Sequence, residues 1–264
     1  MGGFLIPLEG EWVSPGVHSF DSRPLFPGVL PDWVNGHLAQ AVIGAALVIG
    51  FWLWVSRRQQ IVPTKRQFVG EWLYDFVRNN ISREALGPDY RKYHPYLLAL
   101  FSFILVNNLF GEFFVFMFPT FSKIGYAYGL AVASWVLYNA AGIKRDGFGH
   151  YMKKMTLPEG VPIYMAWLII PLEFLSNFIV RPFTLALRLF ANLFAGHLVI
   201  LVFVLGGTYL LTLKDNLFYN FSGGVSILFS FAIFALEIFI GALQAYIFTV
   251  LTAQYVHSSI SEEH

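Results

Sequence analysis

The chain alternates between long apolar runs and shorter polar segments. Apolar residues dominate at about 38–56, 96–118, 125–143, 160–213 and 222–256. A transmembrane helix needs about 20 apolar residues to cross a hydrocarbon core about 30 Å thick. The period-two alternation that would favour a membrane β-barrel is absent from the sequence. The pattern therefore predicts an all-α polytopic membrane protein with about five crossings.

The last two apolar runs are too long for upright spans. As helices, the run 160–213 would measure about 80 Å and the run 222–256 about 52 Å. The first of them is either two spans with a turn at Arg181 and Pro182 or one strongly tilted helix kinked by Pro182. Because little polar turn chemistry surrounds Arg181, we favour the single kinked element. Joined by the turn 214–221, the two runs then form a long, tilted antiparallel hairpin.

The polar segments before the second span differ in character. Residues 1–36 contain five prolines and lack the basic-then-apolar order of a signal peptide, so they are expected to form an extracytoplasmic segment. A membrane domain over 37–264 follows. Within the polar stretch 57–95, residues 67–80 place aromatic side chains at helical spacing among charges. They predict an amphipathic helix on the membrane surface.

Lysine and arginine are concentrated in two of the polar segments. The segment 57–95 contains eight of them and the loop 144–154 contains four, whereas 1–36, 119–124 and 214–221 contain one each. Cytoplasmic loops of membrane proteins carry an excess of these residues. We therefore expect the two rich segments and the C-terminus in the cytoplasm and the N-terminus outside.

Composition supports a membrane protein and excludes several other classes. Of the 264 residues, 56% are hydrophobic and 12% are charged, against about 25% charged in a soluble domain. There is no cysteine, which excludes disulfides and thiolate metal sites. The net charge of +1 gives no indication of a nucleic-acid partner. No glycine-rich loop ending in Gly-Lys-Ser/Thr is present, so neither nucleotide chemistry nor a cofactor is expected on this chain.

Few ionisable side chains interrupt the apolar runs, and Arg188 is the least expected of them. Its guanidinium stays charged in proteins, and placing such a group in hydrocarbon costs about 3 kcal/mol on insertion scales. A residue of this kind in a membrane protein usually marks an ion or proton path. The other candidates are Glu112, Glu173, Arg181, His197 and Glu237, with Asn192 and Gln244 as uncharged companions.

Helical phase places these residues on two sides of the predicted hairpin. At about 100° per residue, Arg188 and Asn192 share a face, and Gly196 follows on nearly the same face beside Ala191 and Ala195. Small residues let another helix approach closely. This face therefore predicts a contact surface for a partner helix, with one cation in it.

The opposite side of the hairpin predicts a proton relay. His197 is half a turn away from the arginine face. On the last helix, Glu237, Gly241 and Gln244 fall on one stripe. A histidine and a carboxylate in contact can pass a proton, because histidine titrates near neutrality and burial brings a carboxyl towards the same range.

Structural roles are the alternatives for several of these residues. Arg181 lies beside the proline kink, and we favour a structural role for it. Glu112 lies near the end of its span, where a carboxylate at the level of the lipid headgroups fits as well as a functional one, and Glu173 could also be interfacial. For Asn107 and Asn108 we favour hydrogen bonds between helices.

Two stretches of the chain resemble the signatures of subunit a of F-type ATP synthases. The first combines 171–176 (PLEFLS) with 181–197 (RPFTLALRLFANLFAGH), and the second is 237–248 (EIFIGALQAYIF). The resemblance is strongest over 145–260 and weak over 1–95. It implies the stator half of a proton motor, in which two aqueous half-channels load and unload protons on the carboxylates of a c-ring. The implied partners are the c-ring, the b subunit of the peripheral stalk, the rest of the complex and the bilayer.

The resemblance also implies roles for single residues. The essential arginine of the family corresponds to Arg188, its neighbouring amide to Asn192 and the glutamine of the last helix to Gln244. The pair of the outer half-channel corresponds to His197 and Glu237, in the reverse order to relatives that carry the acid first.

Two further acids are matched less uniformly. Glu173 corresponds to an acid linked to the cytoplasmic half-channel. Glu112 follows 108–111 (NLFG), where many relatives show an Asn…Gly…Pro pattern, so its place on the path is the weakest correspondence.

The residues of the loop 144–154 and of the first signature are typical of bacterial members, which implies a bacterial plasma membrane before a mitochondrial inner membrane. The partner ring largely sets the choice between protons and sodium, and protons are the expected ion. A stand-alone secondary transporter or channel is the alternative function. It predicts inverted repeats, and none is found in the sequence. A membrane metalloenzyme is a weaker alternative. It would need clustered ligands such as His-Glu-x-x-His, whereas His197 is the only histidine deep in an apolar run.

Overall fold

The computed structural model describes the membrane-embedded core and little of the N-terminal segment: it covers residues 15–16, 31, 34–57, 59–112, 119–157, 165–213 and 217–261. Within these ranges every regular element is a helix and no β-strand occurs, which confirms the all-α fold class. Four helical runs are long and apolar enough to cross a membrane: Gly36–Ser56, Lys65–Glu112, Ala166–Thr212 and Leu217–Ile260. The prediction of a polytopic membrane protein is thereby confirmed. The predicted role of residues 1–36 falls almost wholly outside the described residues.

The described helices follow one another with short breaks. Single 3-10 turns occur at Gly87–Asp89 and Thr120–Ser122, and π-helical segments occur at Arg78–Arg83 and Leu175–Val180. The α-helices are α1 (Gly36–Ser56), α2 (Lys65–Val77), α3 (Glu84–Leu86), α4 (Tyr90–Glu112), α5 (Ile124–Asp146), α6 (Phe148–Thr156), α7 (Ala166–Phe174), α8 (Arg181–Thr212) and α9 (Leu217–Ile260).

The polar stretch after α1 is helical over most of its length. α2 begins where the Thr64 side chain accepts a hydrogen bond from the backbone N–H of Gln67, and it continues through the first π segment into α3. Gly87 then adopts φ 55°, a left-handed conformation that glycine reaches without strain, and turns the chain into α4. The predicted amphipathic helix therefore exists and packs against α1 and α4. α4 starts at Tyr90, six residues before the predicted start of the second span at 96.

α5 corresponds to the predicted third span at 125–143. It is long enough to cross a membrane, but it is less apolar than the four runs named above. It packs against α8 and α9, and its small residues Ala127, Ala131 and Ser134 are buried. The count of five crossings and the orientation of the chain stay predictions.

The region from 166 to 212 is one helical run rather than a hairpin. α7, the π segment Leu175–Val180 and α8 follow without interruption over 47 residues. At 1.5 Å per residue this run is about 70 Å long, so it fits a bilayer only when strongly tilted. The prediction of a single element is confirmed. The departure from α geometry lies in the π segment, just before Pro182, rather than at the proline itself.

The last two helices form the predicted antiparallel hairpin. α8 and α9 pack along each other more extensively than any other pair of described helices, α5 packs on both of them, and α4 packs on α9. α9 starts at Leu217, so the connection is shorter than the predicted turn 214–221; residues 214–216 lie outside the described ranges. This packing brings α4, α8 and α9 together, with a core of buried side chains that includes Leu100, Ile104, Leu185, Leu189, Leu193, Ala245 and Phe248.

Candidate functional site

Three ionisable side chains from three helices meet where α4, α8 and α9 converge. Glu112, His197 and Glu237 each offer one nitrogen or oxygen atom, and these atoms all lie within 4.8 Å of one another. The three residues are 9%, 7% and 5% exposed. Nε2 of His197 lies 3.6 Å from Oε1 of Glu112. We call these three residues the outer cluster, after the half-channel that the resemblance implies for His197 and Glu237. The structure thus brings together His197 and Glu237, as expected, and adds Glu112, which the sequence left undecided.

The His197 ring is held between two backbone carbonyls. Its Nδ1 lies 3.1 Å from the carbonyl oxygen of Leu193, one turn earlier in α8, and its Nε2 lies 3.0 Å from that of Gly111 at the end of α4. A carbonyl oxygen only accepts hydrogen bonds. The neutral ring can therefore donate to one of these oxygens and the protonated ring to both. Gain or loss of a proton changes one hydrogen bond and leaves the ring in place.

The Glu237 carboxylate lies against the backbone of α8. A Cβ atom built on Gly196 would lie 1.8 Å from Oε1 of Glu237, so only glycine leaves room for the carboxylate there. Phase reasoning placed Gly196 on the arginine face; the structure corrects this, because Gly196 is buried between α8 and α9. Oε2 of Glu237 and Oε1 of Glu112 are buried without a hydrogen-bond partner among the described residues.

Arg188 lies on the outside of the helix bundle. Its side chain is exposed, as are Thr184, Ala191 and Ala195 along the same side of α8. Within the described part of the chain, its guanidinium has neither a hydrogen bond nor an ion pair. The predicted face with one cation and small residues is present, without Gly196. A charge exposed on a membrane-spanning helix requires a partner outside this chain or water.

The two amides near Arg188 bond to each other. Nδ2 of Asn192 donates to Oε1 of Gln244 across the interface of α8 and α9, at 2.8 Å. The two amides that the resemblance matches to polar residues of the family are thus paired with each other in the structure. Their hydrogen bond fixes the register of α8 and α9 next to the cation.

Asn107 and Asn108 join helices and turns, as predicted. Nδ2 of Asn108 donates to the carbonyl oxygen of Gly241 at 2.9 Å, which connects α4 with α9. Oδ1 of Asn107 accepts from the Thr120 hydroxyl at 3.0 Å. These bonds secure α4 one turn before Glu112 and so support the outer cluster.

A second polar group surrounds Glu173 at the end of α7. Nδ2 of Asn177 donates to Oε2 of Glu173 at 3.2 Å and to the carbonyl oxygen of Met155 in α6 at 2.7 Å. The Tyr138 hydroxyl donates to the backbone carbonyl of Asn177 at 3.2 Å. We call Glu173, Asn177 and Tyr138 the inner cluster. Sequence reasoning missed Asn177, although an amide four residues after the acid was a signal that helical spacing could have found.

Arg181 belongs to the same end of the helix run. Its guanidinium lies over the ring of Tyr255 in α9, 5.2 Å from the centroid, and that ring meets Tyr138 edge to face at 5.7 Å. A cation over an aromatic face is stabilised by the ring quadrupole. The contact agrees with the structural role favoured for Arg181.

The two clusters lie on either side of Arg188 along one helical run. Fifteen residues separate Glu173 from Arg188 and nine separate Arg188 from His197, which correspond to about 22 Å and about 14 Å along a helix axis. The fold and the site together define an integral membrane protein whose longest helices carry two polar clusters separated by an exposed cation.

The particular family follows from comparison with known proteins. The family model of the ATP synthase A chain matches residues 38–257, and the chain belongs to this family. ATP synthase subunit a of Nocardioides sp. is 44% identical over 97% of the chain and 96% of its own length. The subunits a of Frankia alni and Streptomyces lividans are 45% and 37% identical, over 88% and 95% of the chain and 81% and 89% of their own lengths.

Membership in this family decides between the two functions that the sequence left open. The family is that of the proton-translocating stator subunit, and the chain is accordingly part of an ATP synthase complex in a membrane. Neither the family match nor the relatives favour a stand-alone transporter.

Proposed function

We propose that this chain forms two half-channels that load and unload protons on the carboxylates of a rotor ring, and so couples proton flow to rotation and ATP synthesis. The observation that carries the proposal is the position of Arg188: exposed and unpaired among the described residues, on the exposed side of α8, between the two polar clusters.

The outer cluster supplies the entry path. A proton arriving from outside passes His197 and Glu237, with Glu112 beside them, and neutralises a ring carboxylate. A neutral carboxyl group can enter lipid, whereas an ionised one would require several kcal/mol more. The ring then turns with the neutral group facing the bilayer.

The inner cluster supplies the exit path. After nearly a full turn, the ring carboxyl reaches Glu173, which is half-buried and held by Asn177. Water reaches a half-buried carboxylate, so the proton can leave to the cytoplasm. The membrane potential contributes about 2.3 kcal/mol per charge for each 100 mV.

Arg188 acts by its charge on the ring and on the path. A guanidinium facing a ring carboxylate stabilises its ionised form and therefore promotes release of the proton. The same fixed cation repels a proton moving directly between the clusters. The hydrogen bond between Asn192 and Gln244 keeps the helix surface that bears Arg188 in register.

The proposal includes partners and a location. The c-ring occupies the side of the α8–α9 hairpin that bears Arg188, and the b subunit of a peripheral stalk holds the chain against rotation. The distribution of arginine and lysine supports a C-terminus in the cytoplasm and an N-terminus outside, and the bacterial relatives support a bacterial plasma membrane. Protons are the transported ion.

ATP-driven, uncoupler-sensitive proton pumping into vesicles that contain the purified complex tests the proposal. Arg188→Ala should lower pumping by about 100-fold or more, because it removes the proposed ion pair between Arg188 and a ring carboxylate, and loss of one partner of a desolvated ion pair costs about 3–5 kcal/mol. Thr184→Ala, one turn earlier on the same exposed side, should pump like the wild type. Wild-type pumping by an assembled Arg188→Ala complex would contradict the role given to this residue.

A further inference from the structure

We propose that Lys154 of α6 is a positioning residue for Glu173. It fixes α6 to the ends of α5 and α9, and α6 in turn orients Asn177, which donates to the Glu173 carboxylate. The inference rests on the proposed function, because Glu173 is assigned there to the exit path. It names a residue outside both clusters that sets how fast a proton is transferred at the inner one.

One amide connects α6 with the carboxylate of Glu173. Nδ2 of Asn177 donates to the carbonyl oxygen of Met155 in α6 at 2.7 Å and to Oε2 of Glu173 at 3.2 Å. An amide nitrogen carries two hydrogens, so these two acceptors take both of them. The place of the Met155 carbonyl therefore determines the direction in which the second N–H points towards Glu173.

α6 depends on other helices to hold this carbonyl in place. Met155 lies in the last turn of α6, which ends at Thr156, and the last four carbonyls of a helix have no partner within it. The Met155 carbonyl is thus available to Asn177. A helix of nine residues is too short to be stable by itself in water, so contacts with its neighbours must fix α6.

Lys154 provides the first of these contacts and directly precedes Met155. Its Nζ lies 3.3 Å from Oδ2 of Asp146 at the end of α5, and it also donates to the carbonyl oxygen of Ser261, just after α9. The side chains of Lys154 and Asp146 are each 14% exposed. Salt weakens such a shielded pair much less than an exposed one. One ammonium group thus binds α6 to the ends of two other helices.

Tyr151 provides the second contact, three residues earlier on nearly the same side of α6. Its buried ring fills the space beside Gly142 in α5, where a Cβ atom would overlap the ring. The Tyr151 hydroxyl donates to Oδ1 of Asn139 at 2.9 Å. Lys154 and Tyr151 together prevent α6 from shifting along α5, and a shift would move the Met155 carbonyl away from Asn177.

The neighbouring lysine separates positioning from charge. Lys153 is exposed, and its ammonium group has neither a hydrogen bond nor an ion pair within the described part of the chain. Lys153 and Lys154 carry the same charge at adjacent positions, but Lys154 alone of the two anchors α6. An effect of charge alone on proton release would therefore appear when either lysine is replaced.

Initial rates of ATP-driven pumping by the intact complex in vesicles test the proposal. Lys154→Met should lower pumping by about threefold to tenfold, the range that corresponds to one lost hydrogen bond at Glu173. Lys154→Arg keeps the charge and the donors and should recover at least about half of the rate. Lys153→Met is the matched control and should pump like the wild type.

A double variant distinguishes positioning from a general loss of stability. In the background of Glu173→Gln, Lys154→Met should cause little further loss, because the two residues act through one interaction. A structural effect on the whole complex would instead multiply with the loss from Glu173→Gln.

Gly142→Ala displaces α6 without changing any charge, and it keeps the test decisive if Lys154→Met does not assemble. The added methyl group occupies the space of the Tyr151 ring. We expect a loss of pumping of about threefold or more, again with little further loss in the background of Glu173→Gln. Gly149→Ala on α6, where a methyl group meets open space, is its control and should pump like the wild type.

The outcomes separate this inference from the function on which it rests. Wild-type pumping by an assembled Lys154→Met complex, equal losses in Lys153→Met and Lys154→Met, or a loss that multiplies fully with that of Glu173→Gln would overturn the role of Lys154 alone. Wild-type pumping by Glu173→Gln would contradict the proposed exit path, and the role of Lys154 with it.

Discussion

The outer and inner clusters hold their acids in different ways. In the outer cluster, two carboxylates and a histidine are almost fully buried, and two carboxylate oxygens lack any hydrogen-bond donor among the described residues. In the inner cluster, one half-buried carboxylate accepts from Asn177, which is itself bound to α6 and α5. The outer cluster has places for a proton or cation that the chain does not fill, whereas the inner one has a single acid in a supported position.

The difference indicates that the two clusters have different roles along the helix run. A buried cluster with unfilled acceptors favours the binding of a positive charge, because such a charge relieves the unpaired carboxylates. A half-exposed acid supported by an amide favours release, because the proton can leave through its exposed side. The same chain can therefore carry one site that takes up a proton and one that releases it, provided that the cation between them prevents a direct proton path.

Removing the charge of each acid should affect the two clusters unequally. Glu237→Gln keeps the shape and should lower ATP-driven pumping by about 100-fold, in the range by which a positioned acid or base accelerates proton transfer. Glu173→Gln should lower pumping by about tenfold only, because water at the half-exposed site can take over part of the transfer. Initial rates of pumping in vesicles measure both.

Glu84→Gln, an exposed acid on α3, is the control for both variants and should leave pumping unchanged. Equal losses of pumping in Glu237→Gln and Glu173→Gln would contradict the proposed difference between the clusters.

The space at Gly196 offers a steric test of the outer cluster alone. Gly196→Ala places a methyl group where the Glu237 carboxylate lies, and such overpacking typically costs about 1–3 kcal/mol. We expect a lower melting temperature of the complex and a loss of pumping of about tenfold or more. Gly129→Ala on α5, where a methyl group meets open space, should slightly stabilise the complex and leave pumping intact. If both variants behave alike, the carboxylate is not held against α8.

Asn177 should have the smallest effect, because it acts on Glu173 by positioning. Asn177→Ala removes hydrogen bonds that contribute about 0.5–1.5 kcal/mol each, so pumping should fall by about threefold to tenfold. Added to Glu173→Gln, it should cause little further loss, because the two residues act through one interaction. Full additivity of the two losses would mean that Asn177 acts elsewhere. Asn79→Ala, exposed on the first π segment, is the matched control.

The sequence allowed the helical class, the long hairpin and most of the outer cluster to be predicted. The apolar runs predicted the helices. A rotation of about 100° per residue correctly placed Arg188 and His197 on different sides of α8. Helical phase gives the direction in which a side chain leaves its own helix, and it does not show which neighbouring helix packs there. This explains the error at Gly196, because only the packing of α9 shows that Glu237 lies against it. The same limit left Glu112 undecided, since its contact with His197 depends on how α4 packs.

Two other features could not be derived from spacing. The π segment before Pro182 shifts the helical phase between Glu173 and Arg188, and its support by Tyr138 and Met155 comes from other helices. The predicted helix at 67–80 left out the stretch that follows it, because residues 81–95 are rich in charges, although this stretch is helical and packs against its neighbours.

The central claim is that the two clusters are separate and that a proton crosses between them only on the rotor. Passive proton flow through the membrane part of the complex, with the rotor cross-linked to the stator, tests this most directly. We expect no flow through the locked wild type and measurable flow through locked Arg188→Ala, because the cation that separates the clusters is then gone. Flow through the locked wild type, or none through locked Arg188→Ala, would contradict it.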